Sequence, residues 1–105
     1  MNPPRVSFGD RVRIRYEKAT ESKGVAGDTG IVHGETTPSV TGIEVIGDAT
    51  EDYAIAVMVE GHGQALWFAE NLLELVDHQP GTTMRIGDRL IVREEHGEWH
   101  EVKRN

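Results

Sequence analysis

Seven consecutive residues, Tyr53-Ala54-Ile55-Ala56-Val57-Met58-Val59, constrain the fold more than any other feature of this chain. Tyr53, Ile55, Val57 and Val59 fall on one side of an extended backbone, with Ala54, Ala56 and Met58 on the other. That pattern belongs to a central strand. Glu60-Gly61-His62-Gly63-Gln64 then turns the chain, and Ala65-Leu66-Trp67-Phe68 returns as the hairpin partner.

The rest of the chain repeats this grammar. Arg11-Val12-Arg13-Ile14-Arg15-Tyr16 alternates basic and apolar residues with period two, which places Val12, Ile14 and Tyr16 toward a core. Glu17–Gly27 reads as a loop. Asp28–Gly34 reads as a second short strand, and residues 35–52 as an excursion that holds a short strand at Ile43–Ile46. Ala69-Glu70-Asn71 forms one helical turn before a closing strand, Leu72–Val76. After Gln79-Pro80-Gly81, residues 86–103 form a further hairpin. Twelve glycines and four prolines suit so many turns. The expected core joins Val12, Ile14, Ile31, Ile55, Val57, Val59, Leu66 and Phe68. At 105 residues the chain has the size of one domain, divided into a barrel over 1–78 and a hairpin extension over 79–105 packed on it.

Ile86-Gly87-Asp88-Arg89-Leu90-Ile91-Val92-Arg93 partly echoes Phe8-Gly9-Asp10-Arg11-Val12-Arg13-Ile14-Arg15. About 20 residues bury too little surface for a second domain, so a shared device for entering a strand accounts for the echo.

Charge is distributed unevenly. Residues 1–23 hold six Lys/Arg and three Asp/Glu. Residues 24–78 hold ten Asp/Glu and no Lys or Arg, and residues 79–105 hold five of each sign. A net charge of −7 gathered in the middle disfavours nucleic acid and anionic membranes and attracts basic surfaces. Cysteine is absent, so disulfides and thiolate metal sites are excluded. His96 and His100 are four apart, but Gly97 and the strand-like surroundings spoil the helical face that spacing needs, so no metal is expected. Nothing in the sequence matches a G-x-S-x-G elbow, a P-loop or a dinucleotide-binding glycine pattern, and no cofactor or enzymatic activity is expected. The N-terminus lacks an apolar h-region and no apolar run is long enough to span a bilayer, which points to the cytoplasm.

Two runs are more specific: Gly27-Asp28-Thr29-Gly30-Ile31-Val32-His33-Gly34, and Val57-Met58-Val59-Glu60-Gly61-His62-Gly63-Gln64-Ala65-Leu66-Trp67-Phe68-Ala69-Glu70, followed by Leu73-Glu74-Leu75. Over roughly residues 24–76 they resemble the CarS antirepressors of myxobacterial carotenoid-gene regulation. The sequence between Glu35 and Asp52 departs from that family, and the tail hairpin has no counterpart in it. The resemblance implies an all-β, SH3-like small barrel of about five antiparallel strands, with the C-terminal hairpin as an extra. It also implies an acidic surface that imitates operator DNA and occupies the DNA-recognition helix of a MerR-type repressor.

On that reading Asp48, Glu51, Asp52, Glu60, Glu70 and Glu74 are the candidate partner-binding acids, and Trp67, turned outward by alternation, is an interface anchor. An ordinary solvated negative surface competes with this assignment, as packing beneath the tail does for Trp67. Two other functions stand beside it: a KOW-like nucleic-acid-binding barrel, supported by Arg11, Arg13 and Arg15, and a structural module whose tail hairpin forms a homodimer.

Overall fold

The computed structural model describes residues 6–49 and 51–102. The chain is all-β and antiparallel, with two sheets. The elements, in order, are β1 (Arg11–Ile14), α1 (Lys18–Ser22), β2 (Thr29–Thr36), α2 (Pro38–Thr41), β3 (Ala54–Val59), β4 (Ala65–Ala69), a 3-10 turn (Glu70–Leu72), β5 (Leu73–Asp77), β6 (Thr83–Ile86), β7 (Arg89–Arg93) and β8 (Trp99–Glu101). The first five strands form one sheet in the order β4-β3-β2-β1-β5, and the last three form another, β6-β7-β8. The larger sheet is not a closed barrel, since β4 and β5 are its two edges and do not pair.

One core lies against the larger sheet. Val12, Ile14, Val32, Ile55, Val57, Val59 and Phe68 face it from the strands, and Val6, Val25, Ile46, Leu72 and Leu73 complete it. Register explains one departure from the expected core. Val12 pairs with Gly30, and Gly30 with Val59, so Gly30 and Val32 share the inner face and Ile31 turns outward. A Cβ at Gly30 would sit 2.6 Å from the Met58 carbonyl oxygen and 2.7 Å from a Val57 methyl carbon. Only glycine lets the strands approach so closely there. Leu66 packs against the rim of the core and is only partly buried.

Tyr16 is also outside the core, at 72% exposure. β1 ends at Ile14, and the Arg15 amide bonds the Leu72 carbonyl at 2.8 Å, so the alternation stops before Tyr16. The expected loop after it contains α1. The Thr20 hydroxyl donates to the Arg15 carbonyl at 2.6 Å and accepts from the Glu17 amide at 3.0 Å. Five residues give too little periodicity to read, but these local bonds fix the turn. Ile43–Ile46 is not a strand; Ile46 alone forms a parallel bridge to Phe68.

The tail is larger than a hairpin. Gly87 and Asp88 are the two-residue turn between β6 and β7, and β8 adds a third strand. Lys103, the end of the expected hairpin, and residues 1–5 lie outside the described residues. The echo between head and tail has the expected meaning: Gly9 (φ 91°) and Gly87 (φ 62°) each take a left-handed turn one residue before Asp, and a strand begins next.

Candidate functional site

The opening of the sheet forms a cleft of about 590 Å³. Leu73 and Leu75 of β5, Ala69 of β4 and Val6 make its apolar wall, and Asp48, Glu51 and Glu70 bring carboxylates to it. Arg15, Tyr53 and Asn71 are the other polar groups along the lining. The volume is in the range of pockets that hold a small ligand or several side chains of a partner.

Local structure explains why Glu70 meets Asp48 and Glu51, some twenty residues earlier in the chain, at this cleft. Glu70 opens the 3-10 turn, whose last residue, Leu72, is buried. Asp48 follows Gly47, which takes φ 96° and packs so tightly on that turn that a Cβ would lie 2.5 Å from Leu72 Cδ1 and 3.3 Å from Ala69 Cβ. The segment before it is held by two bonds on β4: the Ile46 amide to the Trp67 carbonyl at 2.8 Å, and the Ala69 amide to the Ile46 carbonyl at 3.0 Å. Beyond it, Asp52 accepts from the Ser39 amide at 2.9 Å and from the Ser39 hydroxyl. Tyr53, at the entry to β3, donates its hydroxyl to Glu35.

The seven sequence-derived candidates therefore separate. Asp48, Glu51 and Glu70 share the cleft. Glu74 lies beside it, 4.0 Å from Arg15. Asp52 is turned onto Ser39 and serves the short α2 helix. Glu60 is at the far end of β3, seven residues from Tyr53, which at strand rise is roughly 20 Å away. It stands 4.0 Å from Arg11. Trp67 lines a separate, smaller hollow with Lys23, Glu44, Ile46, His62, Ala65 and Leu66. It does not pack beneath the tail; Trp99 takes that place, 6.1 Å from Phe8 and beneath the Arg93 guanidinium at 5.2 Å.

Segregation of charge along the chain is partly undone in space. β1 pairs with β5 so that Arg11 meets Asp77 at 3.9 Å and Arg15 meets Glu74, while Lys23 reaches Glu44 at 3.9 Å. All of these are exposed pairs, worth little in stability. They neutralise acids on the outer face of β1 and β5 and along the edge of β4.

A second polar centre was not anticipated from the sequence. Asp10 and Arg93 are both buried, at 0% and 1% exposure, with Arg93 Nη2 2.6 Å from Asp10 Oδ1. His78 Nδ1 lies 2.7 Å from the same oxygen, and the Ser7 amide donates to Oδ2 at 2.7 Å. Arg93 also donates to the Phe8 carbonyl and, at 3.1 Å, to Ser7 Oγ. The signal in the sequence was the repeated Gly-Asp turn with its arginines, whose spacing does not say which arginine turns inward.

The chain matches no family model, no curated protein and no solved structure.

Proposed function

We propose that this chain is a protein-binding module whose acidic cleft takes up basic side chains of a partner. In the specific form that the CarS resemblance implies, that partner is the DNA-recognition helix of a MerR-type repressor, and the chain is an antirepressor that competes with operator DNA. The observation that carries the reading is the cleft itself. Asp48, Glu51 and Glu70 line one cleft with an apolar wall, in a stretch of the chain that supplies no Lys or Arg of its own. Carboxylates held in turns packed against a sheet present charge-assisted acceptors to Arg and Lys much as phosphates do.

The nucleic-acid-binding alternative depends on the outward face of β1. Two of its three arginines, Arg11 and Arg15, lie against carboxylates, which argues against that use. The test is displacement of a MerR-type DNA-binding domain from its operator, followed by gel shift. The variant is Asp48→Lys/Glu51→Lys, since both side chains are exposed and the change should leave the fold intact. Wild type releases the operator and the variant does not. Equal displacement by both, or salt-sensitive binding of this chain to the operator itself, overturns the proposal.

A further inference from the structure

The C-terminal sheet contributes no residue to the hydrophobic core, although it carries Met84, Ile86, Leu90, Ile91, Val92 and Trp99. Among residues 79–102 only Arg93 is buried. A sheet of three short strands without a core of its own is not independently stable, so its attachment to the body decides whether it is ordered.

Among the described residues, the hydrogen bonds of that attachment converge on one turn. Arg93 reaches Ser7, Phe8 and Asp10, and Gln79 Nε2 donates to the Gly9 carbonyl at 3.1 Å. Trp99 rests against Phe8. Two glycines make room for the guanidinium: a Cβ at Gly9 would fall on Arg93 Nη1, and one at Gly97 would lie 2.8 Å from Nη2. The connector between the sheets contains Gln79 at φ 52°, Pro80, and Gly81 at φ 89°.

The same turn borders the acidic cleft. Val6, next to Ser7, is in the core and in the cleft wall. Asp10 leads into β1, and Arg15, just beyond that strand, also lines the cleft. The turn is fixed on β2 by two bonds of 2.9 Å, from the Gly9 amide to the Val32 carbonyl and from the Val32 amide to the Asp10 carbonyl.

We infer that the C-terminal sheet is a separately opening unit latched to the body by Arg93 at Asp10, and that its docking holds Val6 in the cleft wall. Release of the sheet then loosens the cleft and weakens partner binding. By linkage, a bound partner tightens the latch by the same factor. The effect on binding rests on the cleft being the partner site; the latch does not.

Amide hydrogen exchange on the full chain tests this, comparing wild type with Arg93→Met. Arg89→Met is the control, since Arg89 belongs to the same sheet but makes only an exposed pair with Glu101. The double variant Asp10→Asn/Arg93→Met, which leaves no unpaired buried charge, gives the same reading if the single variant does not fold. Loss of the latch should speed exchange across 83–101 together, by roughly a hundredfold, as one cooperative unit. Amides at 6–12 and 51–53 should follow by severalfold, while β3 and β4 stay protected. Affinity for the MerR-type domain should fall about tenfold.

Unchanged exchange across 83–101, or a uniform rise through the whole chain, overturns the latch. Faster exchange in the tail with 6–12 and 51–53 unchanged and undiminished affinity overturns its link to the cleft. None of the exchange measurements involves a partner, so a cleft that binds nothing fails separately, through Asp48→Lys/Glu51→Lys.

Discussion

Asp10 and Arg93 stand 83 positions apart in the chain, yet their side chains meet at 2.6 Å with neither open to solvent. The guanidinium meets three acceptors on residues 7–10 from two nitrogens, the Phe8 carbonyl from Nη1 and Ser7 Oγ and Asp10 Oδ1 from Nη2, a span that the single nitrogen of the shorter lysine does not reproduce. Arg93→Lys should therefore cost about 2 kcal/mol through donors lost from buried acceptors. That corresponds to a melting temperature roughly 10 °C lower for a domain of this size. A loss under about 2 °C in a thermal scan would show that the fork geometry contributes little.

The strands were legible because their chemistry is local. Tyr53–Val59 and its hairpin partner announce themselves by alternation and by a glycine turn, and β3 and β4 lie within a residue of that expectation. Ile31 and Tyr16 were misplaced because the inner face of β2 is set by cross-strand register, and because β1 stops at Ile14 to let the Arg15 amide reach Leu72. For the same reason the acids could be named but not grouped. Asp48 and Glu70 share the cleft because Gly47 packs on Leu72, whereas Asp52, four residues from Asp48, is held by Ser39. The Asp10–Arg93 joint depends on contacts between sheets and leaves no periodic trace.

Gly47 is the residue that keeps the cleft in shape. Alanine there meets both the left-handed φ of 96° and the Leu72 side chain. Gly47→Ala should cost about 1–2 kcal/mol from the backbone strain alone. It should also weaken partner binding although no carboxylate is removed. Denaturant titration alongside the displacement assay measures both, and full binding by Gly47→Ala would separate the loop from the site.

Two glycines of β2 give an internal contrast. Gly30→Ala drives a methyl into the Met58 carbonyl and Val57, so it should destabilise by more than about 2 kcal/mol. At Gly34 a Cβ would meet nothing within 4 Å and φ is outside the left-handed region, so Gly34→Ala should be neutral or stabilising by up to about 1 kcal/mol. Equal urea midpoints for the two variants would contradict the register described for this sheet.

Arg15 lines the cleft as its only Lys or Arg among the described residues, and it pairs with Glu74 across a solvent-exposed 4.0 Å. Arg15→Gln should change stability by less than about 1 kcal/mol, because such pairs contribute little. It should raise affinity for a basic partner severalfold and steepen its salt dependence, since the cleft becomes more negative. Weaker binding by Arg15→Gln would mean that the partner uses an acidic group there.

The most direct test of the central claim is operator release, measured by gel shift across a salt series. The regulator is a MerR-type DNA-binding domain, titrated with wild type, Asp48→Lys/Glu51→Lys and Glu60→Lys. The wild-type chain should free the operator at low salt and lose potency as screening shortens to about 10 Å near 0.1 M. The cleft variant should be inactive. Glu60→Lys, roughly 20 Å away at strand rise, should keep most of its potency. Full activity in the cleft variant, or loss of activity in Glu60→Lys alone, would contradict the assignment of function to this cleft.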